Sequence, residues 1–366
     1  MKIWAIIFFL LPILGCTYVG WHVWRILPLT AVWKTLVIVA MAACFALFIL
    51  NFVLGLDRVS LPWARVMYNV GNSSLFILLY LTMLFLVLDF GQLLHLVPSS
   101  FLKNSVAGSL TVLAVMVGIF VYGNTHYYNK ARVSLELDTK GRVERPLKLV
   151  MMSDLHLGYH NPRTEMARWV DFVNAEQPDL VLIAGDIIDI SVRPLLEEGV
   201  AAEFRRLQAP VYACLGNHEF YSGEPKAQQF FRDAGIRVLR DEAANLPELG
   251  HLTIIGRDDR TNPHRKSVAQ LMKAFSPEKT NYTIVLDHQP YHLDRSAKAG
   301  VDFQFSGHTH YGQVWPISWI TKAIYECSYG SYQLDSTHFY ISSGIGIWGG
   351  KFRIGTQSEY VVLTLK

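Results

Sequence analysis

Five short groups of potential metal-ligand residues follow one another between residues 154 and 310. In chain order they are Asp154-Leu155-His156, Gly185-Asp186-Ile187-Ile188-Asp189, Gly216-Asn217-His218-Glu219, His288 and Gly307-His308-Thr309-His310. Their carboxylate, imidazole and amide donors suit divalent ions such as Mn²⁺, Fe²⁺, Zn²⁺ or Mg²⁺, whereas a thiolate site would use Cys, which no group contains. Ligands separated by one residue project to the same side of an extended chain, so Asp-x-His and His-x-His each predict paired donors.

An apolar run precedes each group and predicts the strand that positions it. The runs are 147–152, 179–184, 211–215, 282–286 and 301–305. Helix-like segments at 164–175, 193–207 and 225–234 alternate with the early strands, and the later segments are richer in strands. We therefore expect a two-sheet α/β sandwich whose strand carboxyl ends bring all five groups to one edge.

The five groups resemble the signature of the calcineurin-like metallophosphoesterase superfamily, which reads Asp-x-His, Gly-Asp-x-x-Asp, Gly-Asn-His-Glu/Asp, His and Gly-His-x-His. The resemblance covers roughly residues 145–366. The segments 153–158 and 256–259, and the last group followed by Gln313, are similar to the membrane-associated YkuE/YaeI-type phosphohydrolases. This resemblance implies a four-layer α-β-β-α domain that acts as a metal-dependent phosphoric ester hydrolase.

The resemblance also implies two divalent metal ions, with Asp186 bridging them. One ion would take Asp154, His156, Asp186 and His310, and the other would take Asp186, Asn217, His288 and His308. A hydroxide held between the two ions would then be the nucleophile at neutral pH. His218 matches the general acid that protonates the leaving group, and Asp189 matches the acid that orients this histidine.

Three residues near the groups are predicted substrate contacts. His160, four residues after the first group, could reach a substrate phosphate, although a packing role is the alternative. Tyr311 could narrow the pocket mouth or stack on a substrate. Trp315 and Trp319 belong to an apolar segment, 314–320, that would lie at the pocket rim or pack in the core. Asp287, beside His288, is expected to face away from the metals, and the alternative is that it influences which metal binds.

Residues 1–123 have the composition of a membrane segment, with only eight Asp, Glu, Lys and Arg residues. Four apolar runs, 3–20, 35–56, 74–97 and 105–123, are long enough to cross a hydrocarbon core of about 30 Å. We therefore expect a four-helix transmembrane region. The alternatives are that residues 3–20 are a cleaved signal sequence, or that the runs form a soluble core. Asp89 lies within the third run and is interpreted as marking the approach to the interface, with a functional role inside the membrane as the alternative.

Basic residues near the run ends predict the orientation. One side collects Lys2, Arg58, Arg65, Lys130, Arg132, Lys140 and Arg142, and the other collects Arg25, Lys34 and Lys103. Basic residues collect on the cytoplasmic side of membrane proteins. The excess of seven basic residues over three therefore favours a catalytic domain on the cytoplasmic side of a bacterial inner membrane.

Residues 124–146 are predicted to be a linker and a leading hairpin, because an alternating run at 133–137 precedes a turn-like sequence at 139–142. Residues 147–366 then form the metallophosphoesterase domain. The chain has four Cys residues, two of them in apolar runs, and this arrangement predicts no disulfide framework.

Charge and local sequence narrow the substrate class. Six basic and two acidic residues lie in 1–123, which leaves 27 basic and 28 acidic residues in the rest, so no nucleic-acid partner is expected. Ile190-Ser191 stands where the Ser/Thr protein phosphatases of the superfamily carry Arg-Gly, so a phosphoprotein substrate is not favoured. A lipid-linked phosphoester or pyrophosphate is the favoured substrate. A soluble nucleotide-type phosphodiester, or a non-catalytic metal-dependent scaffold, is the alternative, and the sequence does not indicate the oligomeric state.

Overall fold

The computed structural model describes residues 3–275 and 281–366, with the backbone alone at 3–10 and at position 52. The chain divides into two compact units. The first runs to Asn124 and includes Gly349–Lys351, and the second contains Thr125–Trp348 and Phe352–Lys366.

The first unit is helical. Its helices are α1 (Ile3–Ile26), α2 (Ala31–Leu54), α3 (Leu61–Leu93) and α4 (Val106–Tyr128), which extends past Asn124. In the described part of the chain, the segments 31–51, 61–93 and 106–128 are long and apolar enough to span a bilayer, which indicates membrane association. The predicted span 3–20 includes residues 3–10, where only the backbone is described, so a fourth span stays a prediction.

Helix α3 begins at Leu61, well before the predicted start at residue 74. The polar residues that interrupt the apolar pattern bond within the helix or to its neighbour. Asn72 Nδ2 donates to the Tyr68 carbonyl at 2.8 Å, and Ser74 Oγ donates to the Gly71 carbonyl at 2.6 Å. The lower hydropathy of this stretch therefore does not end the helix, because these side chains donate to backbone carbonyls of the helix itself.

Polar contacts join the helices of this unit. Lys34 Nζ donates to Asn104 Oδ1 at 2.6 Å, and the Asn104 N–H donates to the Arg25 carbonyl at 2.7 Å, which ties together the end of α1, the start of α2 and the loop before α4. Asp89 on α3 accepts a bond from Tyr18 Oη at 2.6 Å and lies 3.0 Å from His22 Nε2. Asp89 is thus a structural partner of α1.

The second unit contains two six-stranded sheets, in the orders β1-β12-β2-β3-β4-β5 and β10-β11-β9-β8-β7-β6. The strands are β1 (Ala131–Leu137), β2 (Leu147–Met152), β3 (Leu180–Ala184), β4 (Val211–Cys214), β5 (Ile236–Val238), β6 (Glu242–Leu246), β7 (Leu252–Gly256), β8 (Tyr282–Leu286), β9 (Phe303–Ser306), β10 (Gly330–Leu334), β11 (Thr337–Ile341) and β12 (Glu359–Leu365). The helices are α5 (Arg163–Ala175), α6 (Arg193–Glu198), α7 (Ala201–Phe204), α8 (Asn217–Tyr221), α9 (Glu224–Ala234), α10 (Val268–Phe275), α11 (Leu293–Lys298) and α12 (Ile317–Ile324). The single helix expected over 193–207 is two short helices, because Gly199 adopts a φ of 64° and ends α6.

The two sheets share a core, which confirms the predicted two-sheet α/β fold. Leu182 of the first sheet and Phe305 of the second belong to one buried apolar cluster. Alternate residues point the other way: Ile183 packs in a cluster with Trp169 of α5, and Val285 packs in a cluster with the residues of α10. Strands β2 to β5 are parallel to one another, as are β7 to β9, so the carboxyl ends within each set lie at one edge.

The predicted leading hairpin is wrong. Strand β12 lies between β1 and β2, parallel to β1 and antiparallel to β2. Most of β12 is buried and needs a neighbour on each side, whereas β1 alternates between half-buried and exposed residues as an edge strand does. The turn after β1 reverses the chain locally, but burial of the C-terminal strand decides the pairing.

Candidate metal centre

The seven predicted ligands follow the ends of β2, β3, β4, β8 and β9. Six of them form two groups whose ligand atoms lie within 4.8 Å of one another. The first group is Asp154, His156 and His310, and the second is Asp186, His288 and His308. Residues up to 156 positions apart in sequence therefore converge at one edge of the domain.

Lone-pair donors face one another in the first group. His156 Nε2 lies 3.1 Å from His310 Nε2, and Asp154 Oδ1 lies 3.4 Å from His310 Nε2 and 3.9 Å from His156 Nε2. Two imidazole nitrogens pointing at each other beside a carboxylate leave a position that a shared cation satisfies.

Asp186 links the two groups. Its Oδ2 lies 3.1 Å from His288 Nε2 and 3.7 Å from His156 Nε2. His288 Nδ1 donates to the Ala184 carbonyl at 2.7 Å, which leaves Nε2 as the lone-pair nitrogen that faces the group. Among the described residues, Asn217 Oδ1 is buried without a hydrogen-bond partner, as an amide ligand without its ion would be. The donor set therefore fits divalent cations.

Five of the predicted ligands have left-handed backbone conformations. The φ angles are 55° at Asp154, 44° at His156, 52° at Asp186, 71° at His308 and 48° at His310. The expectation that these residues continue an extended strand is wrong, and the two donors of His-x-His join different groups. Such conformations cost about 1–3 kcal/mol each and concentrate at functional sites, because the surrounding fold holds them in place.

His218 is held beside the ligands by its Nδ1 atom. This atom lies 3.0 Å from the Asp189 carbonyl oxygen, which can only accept, so Nδ1 carries a proton. Burial alone would lower the pKa of His218, but the negative charges of Asp186 and Asp189 outweigh it and raise the pKa to about 9. The imidazole is thus favoured as a proton donor through Nε2.

The Asp189 carboxylate contacts three histidines. Its Oδ1 lies 3.2 Å from His156 Nδ1 and 3.5 Å from His218 Nδ1, and its Oδ2 lies 3.8 Å from His160 Nδ1. The Asp189 carboxylate is therefore closer to the predicted ligand His156 than to His218. His218 lies closer to the main-chain carbonyl oxygen of Asp189, at 3.0 Å, than to its carboxylate.

Glu219 organises the backbone of the site, a role that the sequence did not indicate although Glu219 lies within the third group. Its buried carboxylate accepts N–H bonds from Gly216 at 2.7 Å, Asp186 at 3.1 Å, Ile187 at 2.8 Å and Ile188 at 3.0 Å. Burial and the charge of Asp186 raise the pKa of Glu219 to about 7. The carboxylate joins the loop after β3 to the start of α8.

Arg353 was not singled out by any sequence motif. It is fully buried, and its guanidinium donates to the His310 carbonyl at 2.6 Å, to Ser358 Oγ at 3.0 Å and to the Gly346 carbonyl at 3.3 Å. The Gly346 N–H in turn donates to the Asp154 carbonyl at 3.1 Å. Arg353 therefore holds the backbone of two predicted ligands, His310 directly and Asp154 through Gly346.

The remaining predicted residues lie in different environments. His160 is buried, and its ring contacts the Ile347 carbonyl. Tyr311 stacks on Tyr329 with 4.8 Å between ring centroids, and Trp315 is 38% exposed.

Asp287 faces away from the two ligand groups, as expected. It pairs with Arg257 Nη1 at 2.8 Å and with Arg265 Nη1 at 3.1 Å.

Comparisons with known proteins agree with this geometry. The sequence profile described as calcineurin-like phosphoesterase matches residues 147–312. A protein of Aquifex aeolicus described as an uncharacterized metallophosphoesterase is 30% identical over 263 residues, which cover 69% of this chain and 98% of that protein. The chain belongs to the calcineurin-like phosphoesterase family. Membership confirms the predicted resemblance and makes the chain a metal-dependent phosphoester hydrolase.

Two further relatives extend the comparison. The metallophosphoesterase YkuE of Bacillus subtilis is 29% identical over 231 residues, which cover 60% of this chain and 79% of that protein. A bovine (Bos taurus) protein described as a transmembrane protein with metallophosphoesterase domain is 29% identical over 237 residues, which cover 60% of this chain and 53% of that protein.

Proposed function

We propose that this calcineurin-like phosphoesterase is a membrane-anchored enzyme that holds two divalent metal ions and hydrolyses a phosphoester or pyrophosphate bond. The observation that carries the proposal is the position of Asp186, whose Oδ2 lies 3.1 Å from His288 Nε2 and 3.7 Å from His156 Nε2. One carboxylate between two groups of donors is the arrangement that a pair of cations requires.

Each predicted ligand has a place in this scheme. Asp154, His156 and His310 would hold one ion, Asn217, His288 and His308 would hold the other, and Asp186 would serve both. When bound, the ions would supply the Lewis acidity that makes water a nucleophile at neutral pH and offsets phosphate charge.

The chain's own residues supply the proton and the alignment. His218, fixed through its Nδ1 to the Asp189 carbonyl, would deliver a proton from Nε2 to the leaving oxygen. Glu219 keeps the main chain of Asp186 in place through its bond to the Asp186 N–H.

The membrane part of the proposal is a four-helix region over about residues 3–123, followed by a four-layer α-β-β-α catalytic domain on the cytoplasmic side of a bacterial inner membrane. Within the folded domain, Arg132 pairs with Glu176 and Arg142 pairs with Asp302, so these two cations have partners there. Five basic residues remain on the proposed cytoplasmic side: Lys2, Arg58, Arg65, Lys130 and Lys140. A lipid-linked substrate suits an anchored enzyme whose remaining residues carry almost no net charge.

Metal analysis of the full-length protein tests the proposal. After chelation and separate addition of Mn²⁺, Zn²⁺, Fe²⁺ or Mg²⁺, the wild-type chain should bind two equivalents of at least one ion and hydrolyse bis-p-nitrophenyl phosphate or p-nitrophenyl phosphate. Asp186→Asn should lower metal content and slow turnover by more than about 10²-fold. Asp171→Asn, which removes an exposed carboxylate, is the matched control. Two bound equivalents and near wild-type turnover in Asp186→Asn would disprove the bridging assignment.

A further inference from the structure

Helix α12 presents an apolar outer face next to the metal centre. Trp319 is 62% exposed, Ile320 57% and Ile324 59%, whereas Ser318 is buried against the domain. Residues 319, 320, 323 and 324 lie on one face of a helix, so these side chains form one stripe and not scattered contacts. Trp315 extends the stripe, because its ring meets that of Trp319 edge-on at 5.3 Å. A contiguous exposed patch of this kind marks an interaction surface.

Both ends of α12 are tied to the ligand groups. The helix begins seven residues after His310, and the intervening chain is fixed by the bond from the Trp315 N–H to the Ile354 carbonyl at 2.7 Å. At the other end, the Tyr325 ring lies 6.3 Å from the His308 ring and its hydroxyl lies 3.0 Å from that of Tyr291. The helix that carries the stripe therefore borders the metal centre.

Cations and aromatic rings flank the stripe. Helix α12 contains Lys322 and no Asp or Glu, and the exposed Glu326 directly follows Tyr325. Lys322 Nζ lies 5.3 Å from the centre of the Tyr311 ring, and the Arg260 guanidinium lies 4.0 Å from the centre of the Tyr291 ring. Exposed Trp and Ile with flanking cations and aromatic rings are the chemistry that binds the headgroup region of an anionic bilayer.

We propose that the face formed by Trp315, Trp319, Ile320 and Ile324 docks on the bilayer surface, and that the enzyme therefore acts on phosphoesters carried by lipids. The phosphate would enter the metal centre while the acyl or prenyl chain stays in the membrane along the stripe. Within the described residues, three helices can span a bilayer, so a membrane is a partner close at hand. The substrate class rests on the proposed function, whereas docking itself does not.

Photo-cross-linking of the full-length chain in nanodiscs tests docking directly. The nanodiscs contain phosphatidylcholine with a minor share of phosphatidylglycerol, and Trp319→p-benzoylphenylalanine should yield a lipid adduct on irradiation. Leu196→p-benzoylphenylalanine is the control, because Leu196 on α6 is equally apolar and 59% exposed but lies outside the stripe. A lipid adduct no stronger than that of the control, or an adduct to a second copy of the chain instead, would overturn the proposal.

Kinetics test the substrate class. Trp319→Ser combined with Ile320→Ser should slow hydrolysis of dioleoyl phosphatidate or of a polyprenyl diphosphate in nanodiscs by about tenfold. The same variant should hydrolyse soluble bis-p-nitrophenyl phosphate within about twofold of wild type, because surface changes leave the folded site intact. Leu196→Ser should change neither rate.

The outcomes separate the two proposals. Equal losses on lipid and soluble substrates would mean that the stripe supports the catalytic site, which overturns docking as its role. Wild-type activity on bis-p-nitrophenyl phosphate without activity on either lipid overturns the substrate class and leaves the proposed function standing. No turnover of any substrate with any metal refutes the proposed function, and the cross-linking result still decides docking.

Discussion

Replacing His218 by Asn should remove the proton donor and little else. The Asn amide can donate to the Asp189 carbonyl as His218 Nδ1 now does at 3.0 Å, so the loop stays in place. What disappears is Nε2 and its proton. The variant should therefore bind two metal ions and melt near the wild-type temperature, while losing activity on esters whose leaving oxygen must be protonated.

The size of the loss follows from the role of that proton. General acid catalysis contributes about 10²–10⁴ in rate, which equals about 3–5 kcal/mol of activation free energy. An alkyl phosphodiester has a poor leaving group and should show this whole loss. p-Nitrophenolate leaves without a proton, so hydrolysis of p-nitrophenyl esters should slow by less than about tenfold.

The assay is the ratio of turnover on an alkyl and a p-nitrophenyl phosphodiester, measured with bound metal for each variant. His264→Asn, an exposed histidine outside the site, is the matched control and should leave the ratio unchanged. Asp189→Asn should slow both substrates and lower metal content, because Asp189 Oδ1 also contacts His156 at 3.2 Å. Equal losses on both substrates in His218→Asn, with metal retained, would refute the general-acid assignment.

Three further predictions concern other parts of the chain. Asn217→Ala should lower bound metal and slow turnover by about 10–100-fold, and full occupancy with near wild-type rates would contradict the ligand assignment. A reporter fused after Lys130 should behave as cytoplasmic and one in the 96–103 loop as external, so alkaline phosphatase activity at Lys130 would reverse the orientation. Arg353→Met should cost about 3 kcal/mol, seen as a melting temperature about 10 °C lower, because the carbonyl of His310 and its neighbours lose their buried donor. An unchanged melting temperature would show that Arg353 does not support the site.

The sequence alone predicted the local features of this protein. Apolar runs predicted strands close to the observed β2, β3, β4 and β8, because burial on both faces of a parallel sheet requires continuous hydrophobic residues. Residue types predicted the metal chemistry, because Asp, His and Asn offer lone pairs that divalent ions accept. Hydropathy predicted the membrane segments for a similar reason. A helix that spans a bilayer must be long and apolar, and both properties can be read from the sequence.

Tertiary structure decided everything that depends on distant residues. The pairing of β1 with β12 follows from the order of strands in two sheets, and so do the distances that bring Asp186 between the two ligand groups. That order is set by burial across the whole domain, so His156 and His310 meet although 154 residues separate them. The sequence did not indicate the roles of Glu219 and Arg353 for the same reason. Their function is to satisfy backbone groups of loops brought to them by the fold, and spacing along the chain carries no signal of such contacts.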